Sequence, residues 1–279
     1  MILVTGASGN IGSEAVRLLI EQDEPTRALV REPSRASQGG AEYLVGDFDR
    51  PSTLDAAMDG VDTLLLVSPA IPTQEIAVID SAARHGVTHI VKITNHKATA
   101  ESPIDRRRDH AQIEAHLRAS GLGYTLLAPN LFMQNLFAAA PMIRRSRQIV
   151  MSVGDGLSGM VDARDVAATG AAVAAAPVRH AGRKYLLTGP ELTSYTDVAN
   201  TLSKLLGDEV VYRKITPNEH RTAMIEAGVA EPVATSNAQV FGLIAGGDAE
   251  WLSDDVAAIT GTPPRTVHTF LSDHITAFT

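Results

Sequence analysis

The chain opens Met1-Ile-Leu-Val-Thr-Gly-Ala-Ser-Gly-Asn-Ile-Gly12, and this stretch constrains the fold more than any other. Ile2, Leu3 and Val4 make a short apolar strand. Gly6, Gly9 and Gly12 then follow at three-residue spacing, and Ile11, Ala15, Leu18 and Leu19 continue at helical spacing. Glycines at such a turn let the backbone come close to an anion, whose charge meets free N–H groups and the positive end of the helix dipole. A glycine triplet alone is weak evidence, but one lodged between a strand and a helix is specific. The predicted ligand is a dinucleotide, its pyrophosphate held by Gly6, Ser8, Gly9, Asn10, Ile11 and Gly12.

Strand and helix signals alternate beyond this point. Residues 26–30, 43–45, 61–67, 88–94 and 124–127 read as strands, and 52–58, 74–84 and 104–119 carry apolar residues at helical spacing. Thr63-Leu-Leu-Leu-Val67 is apolar on both faces, as in a parallel sheet covered by helices on each side. The pattern predicts an α/β, doubly wound parallel sheet of the Rossmann type, with ligands outside the carboxyl ends of the strands. The expected site segments are therefore 6–12, 31–35, 46–49, 68–71, 95–97 and 129–132. Past Ile149 the alternation loosens. An alanine-rich helix at 163–176, a strand at 184–187, a helix at 194–206 and a strand at 209–214 precede a mostly helical remainder, in which Val267, Phe270 and Leu271 mark an apolar face. We expect an NAD(P)-binding domain over 1–150 and a smaller α+β lobe over 151–279 that covers the substrate and does not stand alone.

With 279 residues the chain can bury a full core. It has no cysteine, which excludes disulfides, thiolate metal sites and a cysteine nucleophile, and its net charge of -8 argues against nucleic-acid and anionic-membrane partners. No apolar run approaches the ~20 residues of a membrane span, and a strand starting at Ile2 leaves no room for a signal peptide, so a cytoplasmic protein is expected. No His and carboxylate cluster has metal-ligand spacing. A small-molecule partner is the expectation, whether the chain is a monomer or a homodimer.

Several stretches carry a resemblance to a known family. Together with the glycine turn these are Gly46-Asp-Phe-Asp49, Tyr124-Thr-Leu-Leu-Ala-Pro129, Val61-Asp-Thr-Leu-Leu-Leu-Val-Ser-Pro69, Phe132-Met-Gln-Asn135, Val161-Asp-Ala-Arg-Asp-Val-Ala167 and Thr260-Gly-Thr-Pro-Pro-Arg265. On these the chain resembles the NmrA-like, atypical short-chain dehydrogenase/reductase family over its whole length. The resemblance implies NAD(P)H-dependent reduction of quinones, triphenylmethane dyes or conjugated double bonds. The alternative it leaves open is a regulator that binds the dinucleotide without turning it over. Classical dehydrogenases instead use a tyrosine followed four residues later by a lysine, which lowers the tyrosine pKa so that it protonates a carbonyl oxygen. Here Tyr43, Tyr124, Tyr185, Tyr195 and Tyr212 are followed at that distance by Asp47, Ala128, Gly189, Ala199 and Thr216. Alcohol dehydrogenase and epimerase readings lose support, whereas hydride delivery to a quinone-like acceptor survives, since its oxygen can take a proton from water.

Arg31 falls where an acidic residue would bind the ribose 2′-hydroxyl of NAD, and an arginine there suits the 2′-phosphate of NADP. A strand end shifted by one residue would put Glu32 in that place and favour NAD. Arg35 is a second candidate phosphate contact. The resemblance places Asp47 and Phe48 beside the adenine. Ser68, Pro69 and Ala70 end the fourth strand where the cofactor crosses, Thr94 and Asn95 end the fifth at the place of the classical active-site serine, and Pro129 ends the sixth. His110 lies three residues before Ile113 and seven before Leu117, on the apolar face of its helix. In the phenylpropanoid reductases a catalytic lysine occupies the equivalent helix, so His110 is a candidate proton donor beside Asn95; a buried core histidine is the plainer reading. Asp162 is expected to cap the helix that follows it. Acceptor contacts are expected from 129–135 and from the region of Phe241 and Trp251.

Overall fold

A computed structural model describes residues 1–32 and 39–279. The strands are β1 (Ile2–Val4), β2 (Thr26–Val30), β3 (Glu42–Val45), β4 (Thr63–Leu66), β5 (His89–Ile93), β6 (Gly123–Pro129), β7 (Gln148–Met151), β8 (Lys184–Leu187) and β9 (Val211–Lys214). The helices are α1 (Asn10–Glu21), α2 (Ser52–Met58), α3 (Pro72–Arg84), α4 (Asp105–Ala119), α5 (Ala140–Ser146), α6 (Ala163–Ala175), α7 (Tyr195–Leu206), α8 (Pro217–Glu226), α9 (Glu231–Ala245), α10 (Asp255–Thr260) and α11 (Val267–Asp273).

Two compact units divide the chain. The first combines Met1–Pro129, Ala163–Leu187 and Asp255–Thr262. Its seven strands form one sheet in the order β3-β2-β1-β4-β5-β6-β8, with every neighbouring pair parallel. Val4 sits opposite Ala28 on one side and Leu65 on the other, so the strand order turns at β1 and β4. Strand β4, buried at every position, shows the two covered faces. Leu64 and Leu66 join Leu3, Ile79, Ile90, Ile113 and Leu117 in one core, while Leu65 points the other way, toward Gly170 on α6. The small residues of α6 let it lie close to the sheet and to α1.

The expected elements of this unit are present, with shifted edges. Helix α3 begins at Pro72 rather than 74, because a proline at the first helical turn lacks only an N–H that would have had no partner there. Strand β6 extends to Pro129, and the strand expected at 184–187 is β8, paired with β6.

The second unit, Asn130–Asp162 with Thr188–Asp254 and Pro263–Thr279, holds a two-stranded parallel sheet of β7 and β9. Its core packs Phe270 and Phe278 against Phe137, with ring centroids 5.3 Å and 5.9 Å away. Strand β7 has no counterpart among the expected elements. Phe241 stacks on His220, which meets the Ser152 hydroxyl at 3.0 Å. Asp162 directly precedes α6 and accepts a hydrogen bond from Gln134 Nε2 at 2.9 Å. Among the described residues no helix is long and apolar enough to cross a membrane, and no group of three His, Asp or Glu side chains is placed to hold a metal ion.

Candidate functional site

The glycine turn leaves β1 with Gly6 at φ +59°, a left-handed conformation that suits glycine, and a Cβ there would come within 2.7 Å of the Val67 carbonyl oxygen. Gly12, in the first turn of α1, is tighter still, since a Cβ would overlap the Gly6 carbonyl. Gly9 is the open one: its only near neighbour would be Gly6 O, at 3.4 Å. It caps α1 in an extended conformation with no side chain bonded to the helix end. The first intrahelical bond runs from Ser13 N–H to Gly9 O, so the N–H groups of Asn10, Ile11 and Gly12 have no acceptor within the helix. Thr5 holds this corner to β4, its hydroxyl donating to Val67 O at 3.0 Å and accepting from Val67 N–H at 2.9 Å.

The corner opens into a cavity of about 400 Å³ over the carboxyl ends of β1 to β4. Gly6, Ser8 and Gly9 form one part of its wall, and Arg31, Asp47, Phe48, Ser68 and Pro69 form others. Eight of the expected residues thus face one space. Arg31 is exposed and has no ion-pair partner among the described residues. Arg35 lies outside the described residues. Asp47 is tied into its own turn, accepting from Asp49 N–H at 3.1 Å while its N–H donates to Thr53 Oγ1 at 2.9 Å. Gln74, on α3, completes the wall and donates to Asp49 Oδ1 at 2.8 Å. Nothing in the sequence pattern singles out Gln74, because the contact joins two elements far apart in the chain.

Ala70, Thr94, Asn95, His110 and Pro129 are not part of that wall. Pro129 is buried at the end of β6. Asn95 Oδ1 accepts from Lys97 N–H at 3.0 Å, and the Asn95 amide nitrogen has no acceptor among the described residues. Thr94 is turned inward, its hydroxyl donating to Glu114 Oε1 at 2.5 Å. Its proton is therefore committed within the protein. His110 Nδ1 meets the same hydroxyl at 3.4 Å, so the Nδ1 nitrogen is the donor of that contact. Burial, followed by the charges of Lys92, Arg106 and Lys184, lowers the His110 pKa from 6.5 to about 3. The imidazole is neutral at physiological pH. Glu114 also accepts from Lys184 Nζ and Arg118 Nη2, each at 3.0 Å.

The linkage follows from the sign of the shift. Folded His110 stays neutral where the unfolded side chain would be protonated, so its stabilising contribution is present above about pH 6.5 and is lost progressively as pH falls toward about 3. His110→Ala is expected to lower the melting temperature at pH 7, to flatten this acid-side decline and to leave kcat within about threefold. Melts between pH 4 and 8 with parallel kinetics check it. A fall of about 10²-fold in kcat at unchanged stability would instead make His110 a proton donor.

A glycine turn and helix N-terminus at the point where the strand order of a parallel sheet reverses define a dinucleotide-binding α/β protein. The chain belongs to the NmrA-like family, which matches it over residues 1–271. It is 36% identical to the NAD(P)H azoreductase of Xenophilus azovorans, in an alignment covering 100% of this chain and 99% of that protein. Its fold is similar to that of the NADPH-dependent quinone oxidoreductase of Escherichia coli complexed with NADPH, with TM-score 0.90, 27% identity, and coverage of 99% and 100% of the two chains. It is also similar to the triphenylmethane reductase of a Citrobacter species complexed with NADP(H), with TM-score 0.86, 26% identity, and coverage of 98% and 99%.

Proposed function

We propose that this chain delivers a hydride from NADPH to a quinone or a similar conjugated small molecule. It is an NAD(P)H-dependent reductase of the NmrA-like family. One observation carries the cofactor assignment: the glycine turn, with three N–H groups at the start of α1 that have no acceptor within the helix, lines the same cavity as the exposed Arg31. Such a space suits a ligand with a pyrophosphate and a further phosphate.

In this reading the turn of Gly6, Ser8 and Gly9, with the N–H groups of Asn10, Ile11 and Gly12, holds the pyrophosphate. Arg31 binds the 2′-phosphate bidentately, Phe48 covers the adenine, and Asp47 accepts from its amino group. Ser68, Pro69 and Ala70 shape the floor past which the cofactor runs, and Thr94 and Pro129 shape the ends of β5 and β6. Bound NADPH supplies the hydride. The Asn95 amide nitrogen, which has no acceptor among the described residues, is the donor toward the acceptor oxygen, while neutral His110 holds Thr94 in place. Without a Tyr and Lys acid pair the one proton that, after the hydride, completes the hydroquinone comes from water, which favours acceptors whose reduced oxygens are weakly basic. The azo and dye substrates named for the relatives share that conjugated character.

NADPH is expected to bind at least tenfold tighter than NADH, because a hydrogen-bonded charge pair contributes about 1.5 to 3 kcal/mol. Arg31→Ala should remove most of that preference and leave NADH affinity unchanged. Fluorescence titration of both cofactors into both proteins measures it. Equal affinities in the parent, or a mutant that keeps its preference, would contradict the assignment of Arg31.

A further inference from the structure

Lys92 lies one residue from the carboxyl end of β5 and is fully buried, one of the largest side chains in the molecule with no solvent contact. Its ammonium pairs with Glu75, on α3, which is 1% exposed. The pair does not end in the core. The other oxygen of the Glu75 carboxylate, Oε1, accepts from the Ser68 hydroxyl at 2.5 Å, and Ser68 Oγ in turn accepts the Ala70 N–H at 3.1 Å. Ala70 stands at φ +61°, a left-handed conformation that a residue with a Cβ adopts only when its surroundings enforce it. Ser68 and Pro69 line the cavity, and Ala70 is buried behind them.

Each link has a direction. Lys92 has only protons to give, so Glu75 is the acceptor of that pair. The carboxylate accepts the Ser68 O–H, which turns the Ser68 lone pairs toward the Ala70 amide. Ion pair, hydroxyl and strained amide thus form one line from the core to the cavity wall. The buried pair is weak evidence of stability, since apolar replacements of such pairs are often neutral or better. A reason for keeping it is the shape of the turn at its end.

From this line we infer that Lys92 and Glu75 are positioning residues for the cofactor: they hold the Ser68-Pro69-Ala70 turn, through Ser68 Oγ, in the conformation that NADPH binds. The inference rests on the reading of the cavity as the NADPH site, and nothing in it requires either residue to touch the cofactor.

Two double variants separate this role from a structural one. Lys92→Met/Glu75→Gln and Lys92→Met/Glu75→Leu both remove the two charges. Only the first keeps an oxygen at position 75 to accept from Ser68. With a fixed quinone acceptor, the glutamine double should keep its Kd and KM for NADPH within about threefold of the parent. The leucine double should show about a tenfold rise in both, with kcat at saturating NADPH changed less than about twofold and the melting temperature close to that of the glutamine double. Doubles that bind NADPH equally well would overturn the inference, whatever their stabilities. If either fails to fold, Ser68→Ala puts the question from the other end. The alanine should lose about tenfold in NADPH affinity, and an alanine variant with parental affinity overturns the inference as well. A parent protein that binds no NADPH would refute the cofactor reading itself, a different result from any of these.

Discussion

Gly9→Val is expected to abolish detectable NADPH binding with stability kept, and Gly12→Val to lower stability. The two glycines are three residues apart in one motif, yet their surroundings differ. A Cβ at Gly9 has a single neighbour at 3.4 Å and projects from the wall of the cavity. A branched side chain there occupies the space over the free N–H groups of α1 and blocks an anion without disturbing the core. A Cβ at Gly12 would overlap the Gly6 carbonyl, which belongs to the backbone and can yield only by moving the turn. Forced contacts of this kind cost about 1 to 3 kcal/mol or more. Circular dichroism melts with NADPH titration of both variants measure the split. Undiminished binding by Gly9→Val would remove the pyrophosphate from this turn.

The largest stability effect is expected from Lys92→Met alone. It leaves the Glu75 carboxylate 1% exposed with its counter-charge gone, and breaking one side of a buried pair costs about 3 to 5 kcal/mol. Adding Glu75→Leu should restore most of the loss, because the second change removes the orphaned charge. Urea unfolding of the single and double variants checks this. A single variant as stable as the parent would mean that Glu75 reaches water or is protonated in the folded protein.

The parallel sheet was legible because its strands are apolar on both faces and its glycine turn sits between a strand and a helix. Thr63-Leu-Leu-Leu-Val67 announces β4 and the cover on each side of it, and eight of the expected residues converge on one cavity since each follows a strand of that sheet. What could not be read was side-chain direction. Thr94 follows β5 where a hydroxyl toward a bound molecule was expected, yet that hydroxyl donates to Glu114, twenty residues later on α4. His110 was placed correctly on a buried face by its spacing to Ile113 and Leu117, but its partner is a threonine hydroxyl and its low pKa comes from burial. The Lys92 and Glu75 pair did leave a signal. A lysine inside an otherwise apolar run, Ile90-Val-Lys-Ile93, must find a buried counter-charge, and only the fold identifies which acid supplies it. The cavity contact of Gln74 left none, because it is made across the fold, and strand β7 was not expected.

Direct hydride transfer is the central claim, and stereospecific isotope labelling tests it most directly. NADPH carrying deuterium on one face of C4 should pass its label to a quinone over many turnovers, and the opposite isotopomer should pass none, while simple ketones, which need a strong proton donor, react far more slowly. Tight NADPH binding with no multiple-turnover oxidation across quinones, azo dyes, triphenylmethane dyes and enones would contradict the account and favour a protein that senses the dinucleotide without consuming it.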